Sequence, residues 1–217
     1  MSYFELPKTT IVNRFIPKNA FDEYTNSSQK KRFSDKIEKI TWLNKLSKET
    51  MNLDGSDVNE IQIFEIKLKV KENILQLLNI IDKAIPYHII FVLKFGEETY
   101  LSTSKKHNHI NNENTAVIDW NFCSEWHYIS NKRVSLQLKE SIDFIYTNFC
   151  SQISGFKSKN IKEIIENDSV KTKLKRQIED LENKIKKEKQ FNLKVEMNEK
   201  LKNLKKEFKT IDLNQKN

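Results

Sequence analysis

Three groups of residues have the types and spacing to do chemistry. The first is the loop Asp54-Gly55-Ser56-Asp57 followed by Glu65-Ile66-Lys67. An acid and then Glu-x-Lys on a strand is the pattern of restriction-type nucleases. There two acids hold Mg²⁺ and the lysine stabilises the attacking water or the developing phosphorane charge. On that pattern Asp57, Glu65 and Lys67 form the catalytic set and Mg²⁺ is the cofactor. An amphipathic strand with charges on its wet face writes the same letters, and Lys69 continues that face. The simpler expectation is therefore a solvated strand, with no catalytic residue and no cofactor.

The second group is His107, His109, Cys123 and His127, four side chains able to close a structural zinc site. Their spacing matches no zinc pattern, and isolated histidines in a polar loop beside a packed thiol account for them, so no metal is expected. His88 and Cys150 read as core residues on apolar elements. The third group is basic. Residues 1–156 hold 20 Lys+Arg against 19 Asp+Glu, whereas residues 157–217 hold 18 against 11. An elongated segment with that excess attracts phosphate backbones or acidic protein surfaces. Lys171, Lys173, Lys175, Arg176, Lys186, Lys187, Lys189, Lys205 and Lys206 are the candidate nucleic-acid contacts. Only four of the 38 basic residues are Arg, so contact to backbone is expected in preference to base edges. The contrary expectation is that the lysines only solvate an exposed helix. Trp120, Phe122, Trp126 and Tyr128 could stack bases, although aromatics at strand spacing more often fill a core.

Some chemistries are excluded by composition. With Gly55, Gly96 and Gly155 as the only glycines, neither a phosphate-binding loop nor a dinucleotide fingerprint can be written. Two cysteines are too few for a disulfide framework, and no apolar run reaches the roughly 18 residues of a membrane span. The opening residues lack a signal-peptide layout, which points to a cytoplasmic protein with no membrane partner. The 13 Phe, 6 Tyr and 3 Trp argue for a real core.

The elements that would position these residues follow from periodicity. Residues 4–18 read as an extended arm or edge strand. A helix is expected from about Lys30 to Ile40, and residues 40–46 fit a strand or a helix end. Residues 59–70 alternate strictly, the clearest strand in the chain. Residues 71–85 carry apolar groups at helical intervals until Pro86. Residues 87–95 read as a central strand covered on both faces. Gly96-Glu97 turns a hairpin into 99–104, the Asn-rich stretch 105–114 reads as a loop, and 115–129 as one more strand. Residues 136–153 return to helical spacing and end near Gly155. The expected fold is α+β: one mostly antiparallel sheet with packed helices over residues 1–156. A basic helical tail follows over 157–217. In the tail Leu174, Ile178, Leu181 and Ile185 form one a/d set, and Met197, Leu201, Leu204, Phe208 and Ile211 another, out of register across Gln190-Phe191-Asn192. That is either a coiled coil with a stutter or a helical hairpin.

Several blocks are specific. They are Leu6-Pro7-Lys8-Thr9-Thr10-x-Val12-Asn13-Arg14-x-Ile16-Pro17-Lys18, Lys39-Ile40-Thr41-Trp42 with Lys45-Leu46-Ser47, Glu60 to Ile66, Ile81-Asp82-Lys83-Ala84-Ile85-Pro86-Tyr87, Ser124-Glu125-Trp126, and Glu188-Lys189-Gln190-Phe191-Asn192-x-Lys194-Val195-Glu196-x-Asn198. In order, over nearly the whole chain, they resemble a bacterial family filed as a domain of unknown function. The resemblance implies a small cytosolic protein encoded beside helicases and DNA methyltransferases of restriction-like, anti-phage loci. It supplies no catalytic residues, and the family's position equivalent to Lys67 is often acidic, which weakens the Glu-x-Lys pattern. The expectation is a non-enzymatic accessory subunit. It docks a larger ATP-dependent helicase or methyltransferase subunit and touches DNA backbone through the tail. The alternatives are the Mg²⁺-dependent nuclease and a coiled-coil adaptor that forms a homo-oligomer through the tail.

Overall fold

The computed structural model describes residues 2–109, 112–131 and 134–214, with side chains from 115 in the second stretch and up to 211 in the third. The chain divides into two compact units, Met1–Ile153 and Ser154–Asn217.

The first unit is built on a mixed sheet. Its strands are β1 (Ile11–Ile16), β2 (Ile37–Ser47), β3 (Glu60–Leu68), β4 (His88–Phe95), β5 (Glu98–His109) and β6 (Asn112–Cys123), in that spatial order, and the short β7 (His127–Tyr128) pairs with β5. All neighbours run antiparallel except β3 and β4. Parallel neighbours need a crossover. Here it is α3 (Leu75–Ala84), whose Leu77, Leu78 and Ile81 pack on the sheet before Pro86 ends the helical run.

One sheet face carries Ile40, Phe64, Ile66, Leu68, Phe91 and Leu93 beneath α3 and Phe33 of α1 (Ser27–Lys36). The other face carries His88, whose ring meets that of Tyr146 in α4 (Ile142–Ser154) at 4.6 Å. Covered on both faces, β4 is buried from His88 to Leu93, as its continuous apolar run requires.

Two local signals and one partner strand move element ends from where periodicity places them. Helix α1 starts at Ser27, before Lys30, because Asn26 and Gln29 form a reciprocal capping box, both bonds 2.9 Å. Helix α4 starts at Ile142 and not near 136: Glu140 takes a left-handed φ of 60° and Ser141 Oγ accepts the Phe144 N–H at 3.1 Å. The expected loop 105–114 is largely strand. Its polar residues pair with the β-branched run of β6, His107 opposite Val117 and Lys106 opposite Ile118, so the ladder comes from the partner strand. The ambiguous stretch 40–46 lies wholly within β2.

The second unit holds α5 (Ile161–Lys187) and α6 (Phe191–Asn214), separated by three residues. Glu188 breaks the helix with an extended ψ of 134°, and its carboxylate accepts the N–H groups of Lys189 and Gln190 at 2.7 and 2.8 Å. As one continuous helix, Glu182 and Lys205 would stand roughly 35 Å apart. They form an ion pair at 2.6 Å, so α6 folds back on α5. The apolar sets read from the sequence are buried or half-buried, while Leu193 and Val195 outside them are 40 % and 45 % exposed.

Candidate functional site

The nuclease pattern does not assemble. Asp57 lies in the loop before β3, which begins at Glu60, and Glu65 is five residues along that strand, roughly 16 Å from its start. Glu65 instead pairs with Lys94 of β4 at 2.6 Å, both side chains 16 % exposed, and Lys67 is exposed. The loop has a structural partner of its own. The Asp143 carboxylate at the start of α4 accepts the N–H groups of Ser56, Asp57 and Val58 at 2.7, 3.0 and 2.8 Å. Burial alone would raise that carboxyl. The three N–H donors outweigh it and hold it below the ordinary value. Gly55 is required there, since a Cβ would stand 2.1 Å from the Val58 carbonyl oxygen.

The zinc candidates are dispersed along the sheet. His107 bonds Asp119 at 2.9 Å, His127 bonds the Tyr3 hydroxyl at 2.9 Å, and Cys123 sits beside Ser102. Cys123 and His107 are five ladder positions apart, and no group of three metal-ligating side chains forms among the described residues. The aromatics likewise separate: Phe122 is wholly buried, Trp126 packs on Tyr100 at 5.4 Å, and Tyr128 is 61 % exposed.

A buried ion pair was not anticipated from sequence. Lys106 sits in the polar stretch read as a loop, yet it is fully buried and reaches under the end of α3. Its Nζ donates to the Asp82 carboxylate at 2.9 Å and to the Asp82 and Ile85 carbonyls at 2.8 Å each. Three acceptors match the three N–H bonds of an ammonium. Ser104 Oγ donates to the second Asp82 oxygen at 2.6 Å. Burial pushes the Asp82 carboxyl up and the Lys106 ammonium down, and each charge draws the other back. The cluster caps the carbonyl end of α3 and ties it to β5. Nearby, a polar cleft of about 480 Å³ lies between Ser56–Glu60 and Lys105–Asn108, with His88 at its wall. Burial and the charges of Lys105 and Lys106 pull the His88 imidazole down to about 3, so it is neutral at pH 7.

In the tail, Lys173, Lys175, Arg176, Lys186, Lys187, Lys189, Lys205 and Lys206 are exposed, and Lys171 is half-buried over the Phe156 ring at 5.8 Å. The basic residues of α5 are scattered around the helix among acids. In α6, Lys200 pairs with Glu196 at 3.1 Å and Lys205 with Glu182 of α5, but one set of lysines shares a face. Lys202, Lys205, Lys206 and Lys209 recur at helical i, i+3, i+4, i+7 spacing and line one groove of about 410 Å³ with Asn198 and Leu201. Lys202 and Lys209 were missed as candidates, although their spacing beside the Leu201–Leu204–Phe208 set was visible.

The molecule is thus an α+β protein whose sheet unit has a buried ionic clamp and whose helical unit shows a lysine-walled face; among the described residues no helix is long and apolar enough to cross a membrane. The chain belongs to the family described as a domain of unknown function, DUF4391, whose model matches residues 4–208. Neither a curated protein nor a solved structure matches it.

Proposed function

We propose that this protein is a non-enzymatic accessory subunit of a bacterial anti-phage, restriction-like complex. The sheet unit docks a larger ATP-dependent helicase or methyltransferase, and the helical unit contacts DNA backbone. The observation that carries the DNA half is the one-sided lysine stripe of α6. Lys202, Lys206 and Lys209 set three ammonium groups along about two turns, which suits a row of phosphates, while Lys205 is held by Glu182; Lys, unlike Arg, offers no fork for base edges. The defence setting and the docking half rest on the gene neighbourhood implied by the resemblance.

The test is binding of the full chain to labelled duplex and single-stranded DNA across a salt series, with Mg²⁺ present and the DNA recovered on a gel. Three phosphate contacts give a slope of log K against log salt of roughly −2 to −3. Lys206→Ala should lower its magnitude by about 1. Absence of binding at low salt, or a slope unaltered when Lys202, Lys206 and Lys209 are all replaced, overturns the DNA half. Cleaved DNA overturns the non-enzymatic assignment.

A further inference from the structure

The outer edge of the sheet is unusual for a protein that must avoid sticking to itself. Strand β1 pairs with β2 on one side, and no strand pairs with its other side among the described residues. Natural edges are blunted by lysines, prolines, short length or bulges, and β1 carries one bulge, between Ile11 and Arg14, where Asn13 takes a left-handed φ of 48°. The strand has a single charge, Arg14, in six residues, and exposes Ile11 and Phe15 at 57 % each.

Register separates its two faces. Arg14 lies opposite Trp42 and Ile16 opposite Ile40, on the face of Phe64 and Ile66; Phe15 lies opposite Thr41, on the other. On the first face a groove of about 450 Å³ runs from the edge inward over β2 to β3, walled by Ile16, Phe21, Trp42, Phe64 and Tyr87, with Arg14 in its lining. An added strand would therefore find unpaired backbone in regular register over Arg14–Ile16, the outer end of an apolar groove for alternate side chains on one face, and Phe15 with Ile11 for those on the other.

We propose that β1 is a strand-addition site for an extended segment of a partner protein, apolar on both faces and carrying a carboxylate opposite Arg14. Charge complementarity selects this occupant. Arg14 makes no ion pair among the described residues, and a second copy paired antiparallel about the centre of β1 would set one Arg14 next to the other, which is unfavourable. Main-chain bonds supply affinity in such complexes, and the alternate pockets supply specificity. The inference deepens the docking half of the proposed function and is independent of the lysine stripe.

The experiment pans the full chain against a displayed library of linear peptides and measures recovered peptides by fluorescence anisotropy. Selected sequences should alternate apolar residues around an Asp or Glu, and should slow amide exchange across Ile11–Ile16. Phe15→Lys should weaken them about ten-fold or more. Arg14→Glu should weaken them and favour peptides with Lys in place of the acid. Both side chains are exposed, so the fold is not at stake, and circular dichroism with an unchanged DNA salt slope confirms it. Three outcomes overturn the inference: no peptide is selected, binding is indifferent to both substitutions, or the free protein is a dimer that Phe15→Lys dissociates, which assigns the edge to a second copy.

Discussion

Lysine does opposite work in the two units. In the sheet unit Lys106 is wholly removed from water, with each ammonium proton on an acceptor and one acceptor charged. In the helical unit Lys206 is exposed and stands in a stripe of its own kind. The first can only hold the structure it is buried in, because a desolvated charge is tolerable only beside its partners. The second keeps its hydration, costs the fold nothing and is available to an external anion. Charge counts alone do not distinguish the two.

The largest effect that would break this contrast lies at the buried pair. Lys106→Met leaves one Asp82 carboxylate oxygen and two helix-end carbonyls without their donor, and should destabilise the sheet unit by about 3–5 kcal/mol, read by urea or thermal unfolding. Adding Asp82→Leu should recover part of that loss, because the stranded carboxylate goes with it. A double variant less stable than the single would show that the carbonyl caps, and not the charge pair, dominate.

A second, smaller effect concerns acid. His88 binds its proton at about 3 in the folded chain, against an ordinary value of 6.5. Between those pH values the unfolded chain holds the extra proton, so stability rises with pH there. The contribution is complete above about pH 6.5 and is lost as pH falls towards 3, a change of a few kcal/mol at most. His88→Phe should flatten that limb of the stability–pH curve. A curve indifferent to the substitution would mean that other groups govern acid unfolding.

The smallest expected effect in stability is also the sharpest test of the contrast. Replacing Lys202, Lys206 and Lys209 by Gln should leave stability within about 0.5 kcal/mol per site while flattening the salt dependence of DNA binding. Loss of stability comparable with that of Lys106→Met would show these lysines to be structural after all.

Much of the architecture was legible because periodicity reports which face of an element is dry. The alternation of 59–70, the apolar run of 87–95 and the helical spacing of 71–85 correspond to β3, β4 and α3. What misled was polarity. The stretch 105–114 looked like a loop because its side chains are polar, yet strand formation there depends on β6, and Lys106 is buried because the end of α3 offers it acceptors. Glu-x-Lys looked catalytic because sequence spacing cannot show that Glu65 meets Lys94 across a strand pair and that Asp57 lies at the far end of β3.

By itself the sequence determined the α+β class, the order of most elements, the break near Gln190 and the basic bias of the last third of the chain. All of these depend on residues near one another along the backbone, where periodicity, proline and charge density act directly. Only the tertiary structure decided which lysine is buried and which lysines share a face, that Asp143 gathers the Ser56–Val58 loop, and that β1 presents an open edge beside a groove. Each of those depends on groups distant in sequence meeting in space, and burial, which sets whether a charge is a clamp or a contact, is a property of the folded neighbourhood and not of the residue.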